Sequence, residues 1–126
     1  MDLVARLRRP ILVIYWLAIA VASHVPREVA VRMGVKLSGV MLHLSAYFVL
    51  TLLFWWNLEP SRNRSRSILV AATVLGGYAA LDEWTQSFIR GRDGSFFDML
   101  INWSGILLGI VYVSVLRPRA LQRVGE

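Results

Sequence analysis

The chain has no cysteine among its 126 residues, which removes disulfide frameworks, thiolate zinc sites and thiol catalysis. Charge is also scarce. Only 17% of residues are charged against 56% hydrophobic, and the mean hydropathy is +0.54, a balance that excludes an ordinary soluble globule. Acidic residues are scarcest, 8 against 14 Lys+Arg, leaving a formal charge of +6. That excess does not point to nucleic acid, because the basic residues sit at the ends of apolar segments rather than along one face. What remains is a chain of apolar stretches with basic punctuation, sized for one domain.

Four such stretches are readable. Ile11 to Ala22 is apolar, preceded by Arg6, Arg8, Arg9 and Pro10 and followed by Ser23, His24, Val25 and Pro26. Twelve residues rise only ~18 Å as a helix, against a hydrocarbon core of about 30 Å, so this span must borrow its flanks. Its Arg-rich start and Ala20-Val21-Ala22 before Ser23 also fit a signal-peptide cleavage pattern, and either reading leaves residue 25 onward outside. Residues 24 to 36 read as a polar connection that can lie on the membrane with Val29, Val31 and Met33 dipping in. Leu37 to Leu58 holds one clearly ionisable residue, His43, and ends in Phe54-Trp55-Trp56, an aromatic belt. Glu59 to Ser67, with Pro60, Arg62, Arg64 and Arg66, reads as a basic loop. Ile68 to Ile89 is apolar to Leu81 and then carries Asp82, Glu83, Thr85 and Gln86; a tight Gly-containing turn, 90 to 95, leads into Phe96 to Leu116. The expectation is an all-α polytopic membrane helical bundle, one domain over 1–126, with about four transmembrane helices at 10–25, 37–58, 68–89 and 96–116.

The positive-inside rule orients it. The N-terminus, the 60–67 loop and the C-terminus carry Arg6, Arg8, Arg9, Arg62, Arg64, Arg66, Arg117, Arg119 and Arg123, so these segments are expected to be cytoplasmic. The opposite side holds most of the acidic residues.

Polar residues inside the spans carry the chemistry. At 100° per residue Asp82, Glu83, Gln86 and Arg90 share an arc of roughly 100°, Asp98, Asn102, Gly105 and Gly109 a stripe of about 60°, and Lys36, Val40, His43 and Tyr47 a similar one. If Lys36, Arg90 and Phe96 mark the outer boundary, His43 lies ~10 Å below it, Asp82 ~12 Å and Asn102 ~9 Å. His43, Asp82, Glu83, Gln86, Asp98 and Asn102 are therefore expected in one outward-opening pocket, with Arg90 and Arg92 at its mouth. An Asp near a helix centre costs ~2.5 to 3.5 kcal/mol even on insertion scales, which implies a use. The bland alternative is interhelical glue at about 0.6 kcal/mol per pair. Tyr47 and the two glycines read as packing, and Trp55, Trp56, Trp84 and Trp103 as belt or lipid-facing residues. Crowded carboxylates suit general acid–base work by Asp82 or Glu83 assisted by His43, and Arg90 and Arg92 suit a phosphate head group. Ligand spacings such as H-x-x-E-H are absent, so neither a metal nor a cofactor is assigned.

The run Asp82-Glu83-x-x-Gln86-x-Phe88-x-x-Gly91-Arg92-x-x-Ser95-x-x-Asp98-x-x-x-Asn102-x-x-Gly105-x-x-x-Gly109 resembles the signature of the VanZ-like family, and His43-x-x-x-Tyr47 resembles its second motif. Arg90 stands where that family commonly has proline. The resemblance implies a small multi-pass protein of the bacterial cytoplasmic membrane, in a family named for a teicoplanin-resistance determinant, with His43, Asp82, Glu83, Gln86, Arg92, Asp98 and Asn102 as its site positions. Three functions are then open: a lipid-binding or envelope-modulating protein whose partner is an anionic or lipid-linked envelope precursor, an enzyme acting on such a substrate, and a structural subunit.

Overall fold

The computed structural model describes residues 3–34, 39–58, 63–92 and 94–116. Five helices follow in order: α1 (Leu3–Ser23), α2 (Arg27–Arg32), α3 (Gly39–Asn57), α4 (Arg64–Gln86) and α5 (Phe96–Leu116); no strand occurs among the described residues. Lys36, Asp93 and Arg62 lie outside the described residues, as do Arg117, Arg119 and Arg123 with the C-terminal location expected for them.

Two boundaries differ from the sequence reading. α1 begins at Leu3, so Arg6, Arg8, Arg9 and Pro10 belong to the helix instead of preceding it. Proline removes only the bond to the Arg6 carbonyl, close to the exposed polar end of the helix, where water can replace it. α4 begins at Arg64, capped by Asn63, whose side chain accepts from the Arg66 amide at 3.2 Å. Arg64 and Arg66 are thus helical rather than part of a loop.

The four long helices alternate in direction. Asn57 at the end of α3 donates to the Arg8 carbonyl near the start of α1 (3.0 Å), while Ser23 at the end of α1 meets Asp82 near the end of α4. α3 packs most extensively on α5. Gly105 and Gly109 permit it: a Cβ on Gly105 would stand 2.6 Å from the Leu44 carbonyl oxygen, and one on Gly109 2.7 Å from Thr51 Cβ. On α4 the buried stripe runs from Ala71, Leu75 and Ala79 into Asp82, Glu83 and Gln86. Trp16 of α1 wedges between α3 and α4, edge-on to Phe54 and Tyr78. Trp103, expected to face lipid, is 40% exposed yet donates from Nε1 to the Gly76 carbonyl, and Trp55 packs against the core.

The distribution of polarity is inverted relative to a soluble protein. Thr51, Asp82, Glu83, Gln86 and Asn102 are buried, whereas Ile14, Leu17, Val21, Leu69, Leu107 and Val115 are each at least 60% exposed. α3 and residues Phe96–Val115 are long and apolar enough to cross a membrane. α1 and α4 do not meet that test; Arg6, Arg8 and Arg9 interrupt the first, and Arg64, Arg66, Asp82 and Glu83 the second.

Candidate functional site

The alternation of helix direction brings the end of α1, the first half of α3, the last turns of α4 and the first turns of α5 to one end of the bundle. Two polar groups of side chains form there, back to back on Asp82 and Glu83.

Asp82, 2% exposed, is held by three helices. Ser23 Oγ of α1 donates to Oδ1 at 2.7 Å, and Tyr47 Oη of α3 donates to Oδ2 at 2.8 Å. Gln86 Nε2, one turn further along α4, donates to the same oxygen at 3.1 Å. Behind Ser23, His24 Nδ1 lies 2.8 Å from the Ala20 carbonyl and 2.9 Å from Ser23 Oγ, while Nε2 faces Thr85 Oγ1 at 2.9 Å. The Ala20 carbonyl can only accept, so His24 Nδ1 carries the proton, and Ser23 Oγ directs its own to Asp82. Both carboxylate oxygens accept, Oδ1 one hydrogen bond and Oδ2 two.

Glu83 is different. It is 5% exposed, and Oε2 accepts from the Ser95 amide at 3.1 Å, but Oε1 has no hydrogen-bond partner. His43 Nδ1 stands 4.0 Å from that oxygen and 2.8 Å from Asn102 Oδ1. Asn102 is wholly buried and its Nδ2 is also unpartnered. Asp98, in the first turn of α5, completes the group: one ligand atom each from His43, Glu83 and Asp98 lie within 4.8 Å of one another.

Both groups border a cleft of about 630 Å³. Its polar wall includes Ser23, His43, Tyr47, Asp82, Gln86 and Asp98; its apolar wall includes Ile19, Ala22, Ala30, Val31 and Leu42; Arg27 and Arg92 stand among them. Arg92 Nε donates to the Val25 carbonyl at 2.9 Å, tying the α4–α5 turn to the α1–α2 connection. Two glycines shape this turn. Gly91 has φ +78°, and a Cβ on Gly94 would meet the Glu83 carbonyl oxygen at 2.5 Å.

The structure thus brings His43, Asp82, Glu83, Gln86, Asp98 and Asn102 to one end of the bundle and sets Arg92 on the cleft wall. Arg90 is exposed on the turn and does not line the cleft, because Gly91 reverses the chain between the two arginines. Tyr47, read as packing, is a ligand of Asp82 as well as a core residue. Ser23 and His24 join the site although the sequence reading left them in a polar boundary, and Arg27 joins the cleft from α2. The only signal for Ser23 and His24 is that two polar residues end an apolar helix.

A family model described as VanZ/LLP1 matches residues 10–117. An uncharacterized protein of Schizosaccharomyces pombe is 25% identical over 119 residues, covering 94% of this chain and 71% of that protein. No solved structure matches the chain. The family match, the two apolar helices and the apolar outer surface place the protein in a membrane.

Proposed function

Because the chain belongs to the VanZ/LLP1 family, we propose that it is a multi-pass membrane protein whose cleft receives the phosphate-bearing head group of an anionic lipid or lipid-linked envelope precursor. The observation that carries this reading is the composition of the cleft: Arg27 and Arg92 beside Ile19, Ala22, Ala30 and Leu42, with Asp82 and Asp98 also on its wall. A guanidinium pair supplies bidentate donors to phosphate, and the apolar wall suits the first methylenes of an acyl or prenyl chain. α1, α3, α4 and α5 then all cross the bilayer. Their 19 to 23 residues give lengths of about 29 to 35 Å, enough for a core of about 30 Å. Arg6, Arg8, Arg9, Arg64 and Arg66 sit on the cytoplasmic side of a bacterial inner membrane, both termini inside, and the cleft opens outward. Sequestering or repositioning an envelope precursor is the route by which such a protein would change susceptibility to teicoplanin.

The test is the lipid content of the purified protein by mass spectrometry. An anionic or lipid-linked species should accompany the wild type and be depleted in Arg27→Ala and in Arg92→Lys, which keeps the charge but loses the planar fork. Unchanged lipid content in both variants refutes the reading.

The unpartnered oxygen of Glu83 beside His43 favours a second reading, an enzyme acting on the same class of substrate, with Glu83 rather than Asp82, which accepts three hydrogen bonds, as the proton-transferring group. Comparing envelope precursors in cells that make wild type or Glu83→Gln at equal abundance separates the two: a species altered only by the wild type indicates an enzyme, and identical profiles remove that reading.

A further inference from the structure

We propose that His43, Glu83 and Asp98 bind a divalent transition-metal ion, of the Zn²⁺ or Mn²⁺ kind. This site does not depend on the cleft taking a lipid, but it is an alternative to proton transfer by Glu83, because an oxygen bound to a metal ion is not free to carry a proton. The three side chains come from α3, α4 and α5 and bring one ligand atom each within 4.8 Å of the others. Two further observations mark the place as built for a ligand. Glu83 is 95% buried, and its Oε1, the oxygen facing His43, accepts no hydrogen bond; Asn102, wholly buried next to His43, has an unpartnered Nδ2. A buried carboxylate oxygen without a partner calls for a proton or a cation, whereas the Asn102 amide, a donor, marks only unfilled polar space beside it.

The chemistry of the donors fits. Two carboxylates confronting each other beside one imidazole carry a charge of −2 when ionised, which an apolar bundle cannot hold without a counter-charge, and one divalent ion cancels it. One nitrogen and two oxygens are the mixed donor set of Zn²⁺ and Mn²⁺ sites; the absence of thiolates disfavours the softer ions. The His43 nitrogen and Glu83 Oε1 are 4.0 Å apart, and ligand atoms at about 2.1 Å from an ion stand about 3.0 to 3.4 Å from each other, so rotation of the side chains by less than 1 Å closes this pair. When Nδ1 takes the ion, its proton moves to Nε2, and Asn102 Oδ1, released from that hydrogen bond, becomes a further oxygen within reach. Access is through the cleft, since His43 and Asp98 both line it. Three protein ligands leave coordination positions open on that side.

No short spacing in the sequence could reveal this set, because each ligand lies on a different helix, and the first two are 40 positions apart. That is why the sequence reading assigned no metal.

The test uses the full chain in detergent or nanodiscs, stripped with chelator and titrated with Zn²⁺ or Mn²⁺ alone. Metal analysis should find about one ion per chain, and binding should raise the thermal midpoint of the wild type. Glu83→Gln and Asp98→Asn should each weaken binding at least about tenfold, the low end of what loss of even a supporting residue costs a metal site, and abolish the rise in midpoint. Asp98 is half-buried at a helix start, so Asp98→Asn decides the matter if Glu83→Gln does not fold. Less than about a tenth of an ion per chain in the wild type overturns the proposal, as does binding that survives both substitutions.

Discussion

Gly105 and Gly77 are both helical glycines, and replacing each with alanine should have opposite effects. A Cβ on Gly77 meets nothing within 4 Å, whereas one on Gly105 would stand 2.6 Å from the Leu44 carbonyl oxygen, 3.2 Å from the Phe48 nitrogen and 3.3 Å from Tyr47 Cβ. Two of these are backbone atoms, which cannot rotate away. Ordinary contact begins near 3.4 Å, so α3 and α5 must part by about 0.8 Å at this level. A gap of that size forfeits a quarter to a half of each van der Waals contact across the seam, and overpacking of this kind costs about 1 to 3 kcal/mol. The loss reaches the site, because Asn102 sits three residues before Gly105 and bonds to His43 one residue before Leu44. Gly77→Ala should instead be neutral or stabilise by up to about 1 kcal/mol through helix propensity. Thermal unfolding of the purified variants in one detergent, followed by tryptophan fluorescence, reads the difference. Equal midpoints for Gly105→Ala and Gly77→Ala would refute the α3–α5 seam as described.

Tyr47→Phe removes one donor to a buried carboxylate and should cost about 1.5 to 3 kcal/mol; combined with Asp82→Asn the loss should be clearly less than additive, and additivity in the double-mutant cycle would separate the two residues. Trp103→Phe deletes the bond to the Gly76 carbonyl at a partly exposed position and should lower stability by about 0.5 to 1.5 kcal/mol, with no effect on lipid or metal content. The cysteine-free chain lends itself to accessibility mapping: Ser65→Cys should react with an impermeant thiol reagent only from the cytoplasmic side and Arg90→Cys only from the opposite side, whereas labelling of both from one side would overturn the four-span arrangement.

How far the sequence discloses this arrangement depends on the kind of residue. Asp82, Glu83, Asp98 and Asn102 stand out because they contradict their apolar surroundings, and helical periodicity then places them on single faces. Periodicity names a face but not what lies against it. Nothing in Gly105-x-x-x-Gly109 says that α3 is its partner, and nothing at Asp82 says that its donors come from α1 and α3. Ser23 and His24 escape notice for another reason: at the end of an apolar run, polar residues are read as a boundary. Tyr47 is ambiguous by nature, an apolar ring with a polar tip, and only the tertiary fold shows that both ends are used. Arg90 and Arg92 cannot be ranked from spacing, since the backbone reversal at Gly91 sends one outward and leaves the other on the cleft wall.

The three-helix grip on Asp82 also bears on how the bundle is made. Of its donors, Ser23 and Tyr47 precede it in the chain, and Gln86 belongs to the same helix. During synthesis the hydroxyls of α1 and α3 emerge before the carboxylate that needs them. In the proposed four-span arrangement α4, whose composition alone does not qualify it to cross a membrane, thus finds its hydrogen-bond donors already in place when it arrives. α5, among the most apolar of the helices, is made last; it closes over Glu83 with Ser95 and sets Asp98 and Asn102 beside His43. If all four long helices cross, the order of the residues along the chain is in this sense an assembly schedule, in which the buried carboxylates of α4 follow the helices that partner Asp82.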